Sequence, residues 1–183
     1  MTRREARSGD EELDVETTIV RSGHRSDASR LIERLGELEW SVATAESLTG
    51  GLVCAELVSV PGASARVRGG IVAYASDLKR DLLGVDGTIL SLHGAVQSKV
   101  ARQMAEGVRE RLAAAGGERV DVGISTTGIA GPDSPDGQPV GTVYIGVSTP
   151  LGTRVELFQF DGTREQIRAE TVRRAVRMAL EAL

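Results

Sequence analysis

The segment W-S-V-A-T-A-E-S-L-T-G-G, residues 40–51, contains the pattern on which the fold prediction depends. Residues 40–45 predict a strand, and residues 48–60 predict a helix that is entered through the glycine pair Gly50 and Gly51. A strand that leads directly into a helix is typical of α/β proteins. This junction therefore favours helices packed on a sheet.

The rest of the chain continues the alternation of helices and strands. Further helices are predicted from Asp27, as N-cap, through Leu38, from Ser76 or Asp77 to Gly84, over 97–114, and from about Thr163 onward. Further strands are predicted over 67–75, 120–127, 140–148 and 153–160, the last two as a hairpin. The order predicts a three-layer α/β/α sandwich with a mostly parallel sheet plus one antiparallel hairpin. Residues 1–26 are predicted to be a flexible tail, and 27–183 a single domain.

Composition excludes several classes of protein. The 183 residues are 40% hydrophobic and 26% charged, which is typical of a globular domain. A net charge of −4 and 3% aromatic residues argue against a nucleic-acid partner. The single cysteine, Cys54, excludes an internal disulfide and is predicted to be a small buried hydrophobe. No apolar run suits a signal peptide or a membrane span, so we expect a soluble, cytoplasmic protein.

The motif A-E-S-L-T-G-G, residues 45–51, lies where the first strand hands over to a helix. Unpaired N–H groups and the positive end of the helix dipole at such a position favour an anion beside Ser47 and Thr49. The motif alone is weak, because a serine before a helix is often a simple N-cap.

The motif Y-A-S-D-L-K, residues 74–79, follows the second strand. Tyr74 and Lys79 can both reach the carboxyl edge of the sheet, where Ser47 should also lie and where open α/β sheets bind ligands. A neutral lysine can take the proton of a serine nucleophile, and a tyrosine can relay one to a leaving group. In isolation, Lys79 could equally be a solvated helix charge and Tyr74 a residue at the edge of the core.

The third motif is S-T-T-G-I-A-G-P-D, residues 125–133, followed by P-V-G-T-V-Y at 139–144. Thr127 and Gly128 offer a hydroxyl and backbone N–H groups to a polar ligand, or they simply shape a long connection. Arg164 could clamp a phosphate or be a surface arginine. His93 is read as a loop residue rather than a catalytic base, and no spacing of His, Cys or carboxylates predicts a metal site.

Taken in order, the blocks A-E-S-L-T-G-G, G-I-V-A-Y-A-S-D-L-K, H-G-A-V, T-G-I-A-G-P and P-V-G-T-V-Y resemble the CinA C-terminal domain family of nicotinamide-nucleotide amidohydrolases. The resemblance covers about residues 28–182. It implies hydrolysis of the carboxamide of nicotinamide mononucleotide to nicotinic acid mononucleotide and ammonia, without a cofactor or metal. The larger two-part members of this family carry a further N-terminal domain resembling molybdopterin-binding proteins.

Carried over by position, the resemblance implies that Ser47 is the nucleophile, Lys79 its base and Tyr74 the third catalytic residue. It places a further set of residues at the nucleotide site: Glu46, Thr49, Gly50, Gly51, Thr127, Gly128 and Arg164. Two positions depart from the family pattern, Ser76 in place of an asparagine and Thr127 in place of a serine. The expected partners are a small nucleotide substrate and further copies of the chain in a homo-oligomer, with no nucleic acid or membrane.

Two other functions stay open at this point. The chain could be a nucleotide-binding regulator with little turnover, although the joint presence of Ser47, Tyr74 and Lys79 weighs against it. It could also be an interaction protein linked to DNA uptake or repair, which the acidic composition disfavours.

Overall fold

The computed structural model describes residues 26–113, 119–134 and 137–183. The predicted flexible tail, residues 1–26, therefore lies outside the described residues except for Ser26, as does the predicted end of the helix over 97–114, at residue 114. In chain order the helices and strands are α1 (Asp27–Glu37), β1 (Val42–Glu46), α2 (Leu52–Val58), β2 (Val67–Val72), α3 (Ser76–Leu83), α4 (Gly87–His93), α5 (Ser98–Arg111), β3 (Val122–Gly128), β4 (Thr142–Thr149), β5 (Gly152–Gln159) and α6 (Arg164–Glu181). One turn of 3-10 helix at Ala63–Ala65 precedes β2.

The five strands form one mixed sheet in the order β2-β1-β3-β4-β5. Strand β1 lies at the centre of a parallel trio and pairs with both β2 and β3. Strand β4 runs antiparallel to β3 and to β5. The predicted α/β architecture with a parallel part and a β4–β5 hairpin is confirmed. The antiparallel part is one pairing larger than expected, because the hairpin docks on β3 through β4.

Apolar side chains cover both faces of the sheet. One core joins α1, α2 and α6 to one face, where Val42 and Ile124 are fully buried. The other joins α3, α4 and α5 to the opposite face, where Ala43 and Ala45 of the same central strand are fully buried. Successive residues of β1 thus point to opposite cores, as side chains alternate along a strand. The three-layer arrangement follows from this division.

Two helix starts differ from the prediction. The N-cap of α1 is Ser26, whose hydroxyl accepts a hydrogen bond from the N–H of Ser29, and Asp27 is the first helical residue. Helix α2 begins at Leu52 rather than at 48, because Gly50 and Gly51 have positive φ angles of 61° and 97°. That left-handed backbone turns the chain before the helix can start. Residues 47–51 are consequently a separate turn, which we call the Ser47 turn.

Candidate active site

The carboxyl ends of β1, β2 and β3 meet at one edge of the sheet, as expected for parallel strands, and a cleft of about 350 Å³ opens there. Of the predicted site residues it brings together Ser47, Tyr74, Lys79, Thr127, Gly128 and Arg164. A larger groove of about 620 Å³ between α1, α2 and α6 contains none of them. The cleft at the strand ends is therefore the candidate active site.

Ser47 is the first residue after β1, and its side chain faces the cleft. Its N–H donates to the carbonyl of Thr126 at 3.0 Å, which continues the parallel ladder by one residue and fixes the backbone. Ser47 is only 8% exposed. Because the N-cap of α2 is Gly51, the alternative reading of Ser47 as a simple helix cap is wrong.

Lys79 projects from α3 and is 1% exposed, so it is not a solvated helix charge. Its ammonium nitrogen Nζ donates to the hydroxyl of Ser47 at 3.2 Å. It also donates to two main-chain carbonyls at the end of β2, those of Ala73 at 2.9 Å and Tyr74 at 3.0 Å. These bonds hold the amine of Lys79 against the oxygen of Ser47.

Tyr74 and Arg164 lie at the rim of the cleft. The Tyr74 side chain is 61% exposed, so it is not part of the core edge. Its hydroxyl accepts a hydrogen bond from Arg164 at 3.2 Å. Arg164 also donates to the carbonyl of Gly131 at 2.8 Å, which ties the first turn of α6 to the loop after β3. The two side chains thus link the end of β2 to the start of α6 at the cleft, which both of them line.

Thr127 and Gly128 form the wall contributed by β3. The Thr127 hydroxyl donates to the carbonyl of Ala95, in the loop between α4 and α5, and so fastens that loop to the sheet. A Cβ atom added at Gly128 would lie 2.6 Å from the carbonyl oxygen of Thr142. Any side chain would therefore collide with β4, and β3 can lie this close to β4 only with glycine there.

Glu46, Thr49, Gly50 and Gly51 do not line the cleft and instead shape the Ser47 turn from behind. The buried carboxylate of Glu46 accepts backbone hydrogen bonds from Gly51, Val53 and Cys54 at 2.8–3.0 Å. It thereby caps the first N–H groups of α2, where the helix dipole favours a negative charge. The role of these four residues in substrate binding stays a prediction.

Two backbone donors next to Ser47 have no acceptor within the described part of the chain, the N–H groups of Leu48 and Thr49. The carbonyl of the Ser47–Leu48 peptide accepts from Gly50 at 3.1 Å. In a trans peptide the N–H and C=O groups point in opposite directions, so the Leu48 N–H is turned away from the interior of the turn. Such free donors beside a nucleophile can stabilise negative charge on a reacting oxygen.

Sequence patterns did not reveal the apolar wall of the cleft. It consists of Leu48, Leu90, Val96, Ile129 and Ala130, which come from three separated segments. Asp133 adds a carboxylate at the rim. Among the residues described, no group of three or more His, Cys, Asp or Glu side chains is placed to hold a metal ion. None of the helices described is both long and apolar enough to cross a membrane.

The sequence is similar to a known protein family and to several of its members. The model of the CinA C-terminal domain family matches residues 24–183. A CinA-like protein of Frankia casuarinae is 47% identical over 132 residues, which are 72% of this chain and 29% of that protein. A CinA-like protein of Acidobacterium capsulatum is 43% identical over 144 residues, 78% of this chain and 33% of that protein. The chain spans about a third of the length of these relatives.

Solved structures agree with the sequence relatives. A CinA superfamily protein from Escherichia coli shares 32% identity and a TM-score of 0.79, covering 86% of this chain and 88% of that one. The competence/damage inducible protein CihA from Agrobacterium tumefaciens shares 36% identity and a TM-score of 0.74, covering 88% and 99%. Since the family model, the sequence relatives and the solved folds all match the described domain, the chain belongs to the CinA C-terminal domain family.

Proposed function

We propose that the protein is a nicotinamide-nucleotide amidohydrolase, which converts nicotinamide mononucleotide and water to nicotinic acid mononucleotide and ammonia. The observation that carries the proposal is the 3.2 Å contact between Lys79 Nζ and Ser47 Oγ in a cleft at the strand ends. A serine hydroxyl becomes an effective nucleophile when a neighbouring base takes its proton, and neutral lysine is such a base.

In the proposed reaction, neutral Lys79 accepts the proton of Ser47 as its oxygen bonds to the carboxamide carbon. The developing negative oxygen is stabilised by a free N–H group of the Ser47 turn, that of Leu48 or Thr49. Collapse of the tetrahedral intermediate breaks the C–N bond, and the nitrogen leaves as ammonia with the proton of the Lys79 ammonium, transferred directly or through the Tyr74 hydroxyl, which accepts that proton as it donates its own. Water then attacks the acyl-serine ester and loses a proton to the neutral Lys79, which passes the proton to the leaving oxygen of Ser47 as the carboxylic acid is released.

The shape of the cleft supports a nucleotide rather than a small free amide. Its apolar wall, which includes Val96 and Ile129, offers a flat pyridine ring an apolar surface close to Ser47. At the mouth, the guanidinium of Arg164 can hold a phosphate in a bidentate way, because it is planar and exposed. Binding energy from that remote phosphate would position the amide for attack.

The direct test is an ammonia-release assay with nicotinamide mononucleotide, free nicotinamide and NAD as separate substrates. We expect turnover of the mononucleotide that is lost in Ser47→Ala, little turnover of free nicotinamide, and no effect of a chelator. Equal turnover of free nicotinamide would contradict the role of the phosphate. Tight binding of the mononucleotide with no ammonia release would instead identify a nucleotide-binding regulator.

A further inference from the structure

We propose that Arg168, on α6, is a positioning residue for the nucleophile because it holds the Ser47 turn in its reactive shape. Its guanidinium donates to two consecutive main-chain carbonyls of that turn, from Nε to Leu48 at 2.9 Å and from a terminal nitrogen to Thr49 at 3.1 Å. Arg168 is half-buried and does not line the cleft. It therefore acts on the site through the backbone.

Peptide geometry connects these two bonds to the chemistry. Each carbonyl is rigidly coupled to the N–H of the next residue, which points the opposite way. By fixing the carbonyl of Leu48, Arg168 fixes the N–H of Thr49, one of the two donors beside the nucleophile that have no acceptor among the described residues. By fixing the carbonyl of Thr49, it fixes the N–H of Gly50, which donates to the carbonyl of Ser47 itself.

The turn needs such a clamp because its own backbone is unusual. Gly50 and Gly51 have positive φ angles, and glycine keeps more conformational freedom than other residues. The Glu46 carboxylate secures only the Gly51 end of the turn, through its bond from the Gly51 N–H. Arg168 secures the middle, and its guanidinium lies close enough that a Cβ at Gly50 would be 3.5 Å from it.

Arginine is suited to this role in a way that lysine is not. Its planar fork reaches two neighbouring carbonyls at once, whereas an ammonium group on a flexible stem satisfies one with little directional control. Helix α6 does not need Arg168 to stay in place, since Ile167, Thr171 and Ala175 of the same helix are buried in the core. Loss of Arg168 should consequently loosen the turn and leave the fold intact.

The experiment compares Arg168→Ala and Arg168→Lys with Arg173→Ala, a control on the same helix whose exposed side chain pairs with Glu170. Hydrogen exchange of a peptide spanning 47–51 reports the order of the turn. Ammonia release from nicotinamide mononucleotide gives kcat and KM. The rate at which a fluorophosphonate labels Ser47 reports its reactivity independently of the substrate, which matters because the inference rests on the proposed nucleophile.

We expect Arg168→Ala to speed exchange in the 47–51 peptide and to lower kcat on the order of tenfold to a hundredfold, the size of effect that a small misplacement of reacting groups produces. KM should change little, Arg168→Lys should recover part of the loss, and Arg173→Ala should match the wild type. Thermal unfolding should show that all three variants fold.

Unchanged exchange in Arg168→Ala, or faster exchange with an unchanged rate of Ser47 chemistry, would overturn the inference. If the wild type is labelled at Ser47 and does not release ammonia, the proposed substrate is wrong, and the labelling rates of the variants still decide the role of Arg168. If the wild type shows neither reaction, Ser47 is not a nucleophile and the inference falls with it.

Discussion

Lys79 and Arg109 are two buried cations with the same kind of surroundings at opposite edges of the sheet. At the carboxyl edge, Lys79 donates to two main-chain carbonyls and to the hydroxyl of Ser47. At the amino edge of β3, Arg109 donates to the carbonyls of Val120 and Thr149 and to the hydroxyl of Ser148. Lys79 is 1% exposed and Arg109 9%. Of these two residues, only Lys79 lines one of the clefts formed by the described residues.

A buried cation beside a serine is not by itself a catalytic pair. Burial lowers the pKa of the Arg109 guanidinium from its ordinary value, and the nearby charge of Arg119 lowers it further. An arginine nevertheless keeps its proton in a protein, so Arg109 can brace α5 against β3 and β4 but cannot activate Ser148. Lysine can give up its proton, and Lys79 lines a cleft.

The largest effect should come from placing an arginine, as at position 109, in the position of Lys79 at the carboxyl edge. Lys79→Arg keeps a positive charge and removes the proposed base, so we expect kcat to fall on the order of a hundredfold to ten-thousandfold, almost as far as in Lys79→Ala. The Ser47→Ala/Lys79→Ala double variant should be hardly worse than either single variant, because groups that act as one unit lose function non-additively. Steady-state ammonia release measures this. A nearly wild-type kcat in Lys79→Arg would remove Lys79 from the role of base and leave it an electrostatic anchor.

The second effect belongs to the amino edge and concerns stability. Arg109→Ala leaves two buried carbonyls and a hydroxyl without their donor, so the free energy of unfolding should fall by about 2–4 kcal/mol. Arg109→Lys should lose about 1 kcal/mol, because one ammonium cannot reproduce the fork. Urea unfolding measures both, with Arg102→Ala on the exposed side of α5 as the control. Activity in the folded state should stay at the wild-type level; a kcat loss as large as that of Lys79→Arg would erase the distinction between the two edges.

Most of the fold could be predicted because it depends on local periodicity. The helix predicted over 97–114 is α5, in which Val100, Met104 and Val108 recur every four residues and are fully buried, and Leu112 just beyond its end is half-buried. Helix α4 was missed, since its seven residues are too few to show a period and Leu92 at its end is 71% exposed. Its N-cap, Asp86, which accepts from the N–H of Thr88, was the one signal that could have found it.

The site could be predicted in part because three motifs follow the ends of parallel strands. Ser47, Tyr74 and Lys79 converge on one cleft for that reason, whereas Arg168 carries no local signal of its contacts. Arg168 bonds to a turn more than a hundred residues away in the chain. Arg109 does continue a helical stripe of small buried residues, Ala101 and Ala105, and an arginine in that register indicates a side chain that reaches past the helix into the sheet.

A smaller effect is expected from the two serines themselves. The hydroxyl of Ser148 accepts from Arg109 at 2.9 Å and is bonded to the hydroxyl of Thr153 at 3.1 Å, so Ser148→Ala should cost about 1 kcal/mol of stability without changing kcat. Ser47→Ala should show the reverse pattern, with kcat lost and stability nearly kept. Unfolding and turnover measured on both variants give a two-by-two comparison. Loss of turnover in Ser148→Ala would show that the amino edge is coupled to the site.

The smallest effect is a pH dependence of stability that comes from Cys54. It must be separated from any pH–rate profile, because such a profile also crosses the range in which a thiol ionises. Cys54 lies in the first turn of α2, where its N–H donates to Glu46. Burial raises the pKa of the Cys54 thiol, and the negative charge of Glu46 raises it further. Contrary to the expectation of a small buried hydrophobe, Cys54 is only partly buried.

The sign of the resulting stability change follows from which state holds the proton more tightly. Below the thiol pKa of the unfolded chain, both states are protonated and the contribution of Cys54 is fully present. As the pH rises through that value toward the higher folded pKa, the unfolded chain loses its proton first, so the native state is progressively destabilised relative to it.

Urea unfolding from about pH 7 to about pH 10 should therefore show a smaller alkaline loss of unfolding free energy in Cys54→Ala than in the wild type. The kcat profile should be the same in both proteins, because Cys54 does not line the cleft. If one limb of the kcat profile moves in Cys54→Ala, that limb belongs to the thiol, which acts on the Ser47 turn through Glu46. The comparison of Lys79 with Arg109 would then have to be made in the Cys54→Ala background.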